Sequence, residues 1–173
     1  MKKLLLNLIV ILALVVAGLY GYGTQLPKDH EVSVSMAYNQ PQEALWDAIT
    51  NYAKLPEWSK STAKAEALEP KDGKPVWRLI TKHGEVMDLV IDEETPMTRH
   101  VATIANDNLP FGGSWIFELT PTETGTRVTL TEKGYLKQPI LRALSALVWG
   151  HDHMLKEFLT ELGAKFGETV QFD

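Results

Sequence analysis

The chain contains no cysteine. That excludes disulfides, thiolate zinc sites, thiol nucleophiles and an acylated lipoprotein cysteine, while a Cys-free chain suits either redox environment. Positive charge is also scarce, with 17 Lys and Arg against 22 Asp and Glu. Residues 1–23 carry Lys2 and Lys3 and no acid, so the remainder holds 15 basic and 22 acidic side chains, a net of −7. Nothing supplies the cationic stripe that tracks a phosphate backbone, and nucleic acid is not an expected partner. No phosphate-cradling loop, dinucleotide fingerprint, HExxH or Ser-His-Asp ordering is present, and no cofactor is expected.

What is abundant is apolar sequence at the start. "MKKLLLNLIVILALVVAGLYGYG" opens on two lysines and continues as an apolar run from Leu4 to Tyr20, broken only by Asn7. As a helix the run and its flank span roughly 28–30 Å, one hydrocarbon core. A signal peptide cleaved near Val15-Val16-Ala17 is one reading. The long run and the interfacial pair Tyr20 and Tyr22 favour an uncleaved anchor over residues 1–23, contacting the bilayer through residues 4–22. The two lysines would stay in the cytoplasm, placing the domain on the extracytoplasmic (periplasmic) side of the cytoplasmic membrane. Residues 24–30 read as a linker within the irregular stretch 21–30, whose ten residues at full stretch would hold the domain within about 35 Å of the bilayer.

The remainder reads as one domain, 31–167, with a tail at 168–173. "EVSVSMAY" alternates, with Val32, Val34, Met36 and Tyr38 on one face of a strand. Pro41 then opens a helix in which Leu45, Ile49 and Tyr52 share a face, and Pro56-Glu57-Trp58 makes a second short helix or turn. Turn signals divide the following stretch into strands near 63–69, 75–82, 84–92, 98–106, 114–120 and 126–136. Connections this short join antiparallel neighbours. Pro139 opens a last helix, expected to run unbroken over 139–166. Its apolar stripe would comprise Ile140, Leu144, Leu147, Val148, His151, Leu155, Phe158, Leu162 and Phe166. The fold class is α+β, one curved seven-stranded sheet and one long helix in two layers.

The text "AYNQPQEALWDAITNYAKLPEWSKSTAKAEALE" (37–69) resembles the START-related and polyketide cyclase-dehydrase superfamily, in which a strand leads into a P-x-x-x-x-W-x-x-I/L helix and a second turn ending in Trp. Pro41, Trp46, Ile49 and Trp58 carry that pattern, and the resemblance extends over about 31–167. It implies a helix-grip fold, the sheet wrapped round the C-terminal helix, with a pocket between them that relatives use for lipids, sterols or polyketides. Some relatives catalyse there and others only bind and carry.

"LVWGHDHML" (147–155) holds the most conspicuous polar cluster. His151 and His153 stand about 200° apart on a helix and cannot share one metal ion, since a helical zinc pair needs a spacing of four. His151 falls on the apolar stripe, as a satisfied core imidazole, a ligand contact or a base. Glu132 follows Val128 and Leu130 on one strand face, while Asp88 and His100 depend on register. The expected function is membrane-tethered binding or transport of a hydrophobic small molecule or lipid, in a cavity lined by Trp77, Met87, Leu89, Trp115, Phe117 and His151. Two alternatives stay open. One is a cyclase- or hydratase-type enzyme using His151 with Glu132 or Asp88. The other is a partner-binding module at the membrane. Leu109, Phe111 and Trp149 either pack under neighbouring loops or form an apolar rim at a portal or on lipid. The residues specify no oligomeric state.

Overall fold

A computed structural model of the chain describes residues 1–169 and Phe172, with Trp149 described by its backbone only. Helix α1 spans Lys2–Gln25 and is apolar enough, over enough length, to cross a membrane. Three residues, 26–28, then lead into strand β1 (Asp29–Tyr38). Helix α2 (Gln42–Thr50), a 3-10 turn (Tyr52–Lys54) and α3 (Leu55–Trp58) follow. Six strands complete a meander: β2 (Thr62–Lys71), β3 (Lys74–Thr81), β4 (Val86–Thr95), β5 (Arg99–Ile104), β6 (Phe111–Pro121) and β7 (Thr126–Leu136). The strands form one antiparallel sheet in the order β1-β7-β6-β5-β4-β3-β2. The long return from β1 to β2 through α2 and α3 thus puts the first two strands at opposite edges. The expected fold class holds, with strand boundaries close to those read from the turns.

Alternation sorts the sheet into two unlike faces. The inner face carries Val34, Met36, Tyr38, Leu89, Phe117, Leu119, Val128 and Leu130, all buried. The outer face is a ladder of cross-strand polar pairs, among them Ser33–Thr131 at 2.7 Å, Ser35–Thr129 at 2.8 Å and Thr103–Ser114 at 2.7 Å. Leu45, Trp46 and Ile49 of α2 close one end of the core. Leu155, Leu159 and Leu162 lie across the sheet and are essentially inaccessible. Each such side chain stabilises the fold by about 1.5–3 kcal/mol. The Tyr38 hydroxyl donates to the Leu159 carbonyl at 2.8 Å, fixing that helix to the first strand.

The last helix is not continuous. Helix α4 (Pro139–Leu144) passes into a π-helical turn over Ser145–Trp149, closed by the Gly150 N–H on the Ser145 carbonyl at 2.9 Å. Gly150 then takes φ 73°, ψ 161°, a region essentially reserved for glycine, and helix α5 starts afresh at His153 and ends at Lys165. The single stripe expected over 139–166 therefore breaks in two. Leu155 and Leu162 keep their place on the sheet and Leu159 joins them, whereas Leu147 and Val148 are 61% and 64% exposed. A helical wheel assumes 100° per residue, and one glycine resets the phase.

Helix α4 packs instead against α1. A Cβ on Gly23 would collide with the backbone of Pro139, so only glycine permits this approach. The Arg142 guanidinium, itself buried, donates to the Leu26 carbonyl at 2.8 Å and ties α4 to the connector. The expected 168–173 tail is described only in part, Val170, Gln171 and Asp173 lying outside the described residues. Its first residue, Glu168, accepts from the Asn39 N–H at 3.0 Å and the Gln40 amide at 2.7 Å.

Because Gly150 alone permits the break, Gly150→Ala is expected to destabilise the domain by about 1–3 kcal/mol. Thermal unfolding followed by circular dichroism checks this, and an unchanged Tm would mean that the break is not held by that residue.

Candidate functional site

A cavity of about 170 Å3, open at one end, lies between the inner sheet face and the helices α3 and α5. Its floor is Leu89 of β4, Trp115 and Phe117 of β6 and Leu130 of β7. Its roof combines Ile49 and Tyr52 with Leu155 and Phe158. Ser61, Met154 and Glu157 belong to the same wall and are exposed, which marks the mouth between the start of β2 and the first turn of α5. Near it, Ser59 and Ser61 hydroxyls pair at 3.0 Å, and Glu161 accepts from the Lys60 N–H at 2.9 Å. The space is apolar inside and polar at one end, the usual form of a small-molecule site.

Behind the roof a polar chain runs from the buried Tyr52 and His100 to the half-exposed Glu94. The Tyr52 hydroxyl lies 2.9 Å from His100 Nε2, and His100 is completely inaccessible. His100 Nδ1 faces Glu94 Oε2 at 3.4 Å, a charge contact short of hydrogen-bond geometry. The facing arises from an irregularity in β4: pairing shifts between Ile91 and Glu93, so that Glu94 comes opposite His100. Burial pushes the His100 imidazole below its ordinary value, only partly opposed by the Glu94 charge. Burial, then Glu94, raises the Tyr52 phenol. In a neutral His100 whose Nε2 accepts from the Tyr52 hydroxyl, the proton stands on Nδ1, toward Glu94. The chain fixes the 3-10 turn that roofs the cavity.

The residues singled out from the sequence divide between places. Met87, Leu89, Trp115 and Phe117 line the cavity. Trp77 shares the inner face but stacks on Tyr52 at 5.6 Å, outside the lining. His151 does not reach the cavity. It follows the helix break, stacks on His30 at 4.3 Å and lies 3.1 Å from the Ser145 hydroxyl. Glu132 does face inward, but beyond Trp115 and paired with His30 at 3.4 Å. His151 and Glu132 thus share a cluster at the anchored end of the sheet, away from the cavity wall. Desolvation lowers the His151 pKa, and the His30 charge lowers it further, against the opposing pull of Glu132 and Asp152. Asp88 points outward, held below the usual carboxylate range by its hydrogen bonds from Arg78 at 2.7 and 2.8 Å. Leu109 and Phe111 are half-buried beside Lys137, whose N–H bonds the Pro110 carbonyl. The Trp149 side chain lies outside the described residues. No group of three or more His, Asp or Glu among the described residues has metal-binding geometry.

Tyr52 is read from the sequence only as part of a helix face and Glu93-Glu94 only as a turn with solvated charges, whereas Glu94 lies within β4 opposite His100; Ser59 and Glu161 are not singled out. Glu161 was legible in principle, since it stands three residues after Phe158 and next to Leu162, at the edge of the apolar stripe. Glu94 was not, because an irregular strand changes which face a residue takes.

An antiparallel sheet closed by a C-terminal helix over an apolar cavity defines a helix-grip domain. Residues 29–167 match the family described as polyketide cyclase/dehydrase and lipid transport, and the chain belongs to that family. Among solved structures, the fold is shared with protein MLL2253 from Mesorhizobium loti, 23% identical with a TM-score of 0.61, covering 79% of this chain and 96% of that one. A START superfamily protein from Mycobacterium smegmatis superposes with a TM-score of 0.61 at 14% identity, covering 80% and 97%. The di-domain ARO/CYC StfQ from the steffimycin biosynthetic pathway does so at 0.56 and 14% identity, covering 80% of this chain and 46% of its own. No curated protein matches the chain at a significant level.

The buried imidazole has a pH signature. His100 has a lowered pKa in the fold, so the unfolded chain binds more protons as pH falls through about 6.5. Its contribution to stability is present above that pH and is lost on acidification toward the folded value. Tm is expected to fall between pH 7.5 and 5, and His100→Gln to flatten that slope while lowering Tm at pH 7.5. Equal slopes in both proteins would place the acid sensitivity elsewhere.

Proposed function

We propose that the protein is a membrane-tethered carrier or receptor for a hydrophobic small molecule, held between the sheet and α5. The observation that carries this reading is the cavity itself, apolar within and open at one mouth. Well-packed interiors keep few voids larger than a water molecule, and a cavity of about 150 Å3 lined by apolar side chains accepts a benzene ring. The 170 Å3 here therefore suits one ring or a short chain, with any larger ligand extending through the mouth past Met154. Family membership supports ligand binding in general. The family description, polyketide cyclase/dehydrase and lipid transport, is compatible with a lipid or polyketide ligand.

Tethering rests on α1 and on what packs against it. The segment Pro139–Val148 is itself apolar, docks on α1 through Pro139, and exposes Leu147 and Val148. A helix that spans the bilayer and a short apolar helix beside it would seat the domain on the lipid surface, extracytoplasmic side by the lysines at the N-terminus. A carrier so placed would take its ligand from that membrane or from a partner on it. The enzyme reading gains no support from the placement of His151, Glu132 and Asp88, none of which lines the cavity.

Two measurements test this. Native mass spectrometry of the full chain, released from detergent and followed by organic extraction, is expected to show a co-purifying hydrophobe. Met154→Trp, an exposed substitution at the mouth, is expected to reduce its occupancy several-fold without lowering Tm. A uniformly apo protein, or occupancy indifferent to the plug, would count against the cavity as the site. For the seat, the absence of cysteine makes Leu147→Cys a unique labelling position. A nitroxide there in reconstituted vesicles is expected to collide readily with oxygen and poorly with an aqueous nickel chelate. The reverse ranking would place the segment in water.

A further inference from the structure

The cavity wall contains one charged side chain that the protein satisfies only by half. Glu161 on α5 is 4% exposed and lines the cavity. Its Oε2 accepts from the Lys60 N–H at 2.9 Å, while Oε1 is buried with no hydrogen-bond partner. A carboxylate oxygen withdrawn from water and left unpaired is unfavourable, and a donor that reaches it gains a charge-assisted bond in a low-dielectric setting. The rest of the wall sharpens the preference. Among the described residues no Lys, Arg or His belongs to it, and its second acid, Glu157, stands one turn before Glu161 at the mouth. The Ser59 and Ser61 hydroxyls, the nearest neutral polar groups in sequence to Lys60, are paired with each other.

We propose that the cavity selects amphiphiles whose head is a hydrogen-bond donor, an ammonium or a hydroxyl group, which donates to Glu161 Oε1 while a ring or short chain fills the space over Leu89, Trp115 and Phe117. This deepens the ligand-binding reading and rests on it. An anionic head is disfavoured twice over, by the acidic wall and by the absence of any cation to receive it. The preference therefore runs against free fatty acids and toward amines and alcohols of similar bulk. A cationic head gains the charge-assisted bond, and a hydroxyl gains the bond with less charge attraction.

Three probes that differ only in the head group decide it: 4-phenylbutylamine, 4-phenylbutanol and 4-phenylbutyrate, titrated at neutral pH against the full chain in phosphatidylcholine nanodiscs. Tryptophan fluorescence reports binding, because Trp115 is in the wall, and empty nanodiscs correct for partitioning. The expected result is that the amine binds at least about tenfold more tightly than the carboxylate, the scale of one charge-assisted hydrogen bond, with the alcohol between them. Glu161→Gln should preserve the Lys60 contact through its carbonyl oxygen and present an NH2 donor where Oε1 stood. In that variant the amine is expected to weaken and the carboxylate to strengthen, an inversion that loss of packing alone would not produce. The ranking in the unmodified chain tests the proposal even if the variant fails to fold. Equal binding of all three probes, blocked by Met154→Trp, would keep the cavity as a ligand site and overturn the head-group preference. Tightest binding by the carboxylate would overturn it as well. No binding by any probe would overturn both readings.

Discussion

The inner face of a seven-stranded sheet is much wider than one helix. Six inter-strand steps span about 29 Å, and a helix with its side chains is about 10–12 Å across. Helix α5 covers the β1–β7–β6 side through Leu155, Leu159 and Leu162. The remaining inner face, Leu79, Leu89, Ile91 and Ala102, is served by Tyr52, Leu55 and the half-buried Trp58. These are two clusters, not one continuous core, and the cavity lies along their seam. The long return from β1 to β2 is what carries α2 and α3 to that place.

Three buried polar contacts near the seam fasten the roof to this incompletely covered face. Tyr38 bonds the backbone of α5, Tyr52 bonds His100, and the Lys60 amide bonds Glu161. The first two are closed contacts between protein groups. The third is half open, and it is the one that belongs to the cavity wall. A roof pinned at three points over an apolar floor can stay in place without filling the space beneath it, which is how a small domain keeps an internal cavity without collapsing onto it.

The break at Gly150 separates two jobs that one straight helix could not do. Helix α5 must lie flat on the sheet, and α4 must lie against α1. With one helical phase, the residues facing the sheet at 155–162 would set the direction of those at 139–148. The π turn and the glycine decouple them, and the same break carries His151 out of the stripe and onto His30 and Glu132.

Much of this was determined by the sequence alone. Strict alternation in "EVSVSMAY" and around Trp115-Ile116-Phe117 set the inner face, since a residue's side of a strand follows from parity. Proline, glycine and aspartate placed the turns because proline fixes φ, glycine reaches positive φ without strain and an aspartate side chain bonds its own local backbone. The apolar run after two lysines announced a helix of membrane length. Four of the expected cavity residues, Met87, Leu89, Trp115 and Phe117, could be named because they follow parity. The tertiary structure decided what periodicity cannot carry. A positive φ at Gly150 cancelled the phase of a seven-turn stripe. An irregularity in β4 turned Glu94 toward His100. Above all, whether Glu161 met a partner depended on Lys60, a hundred residues earlier. Local rules fix directions along a chain, but satisfaction of a buried charge is a property of what folds up against it.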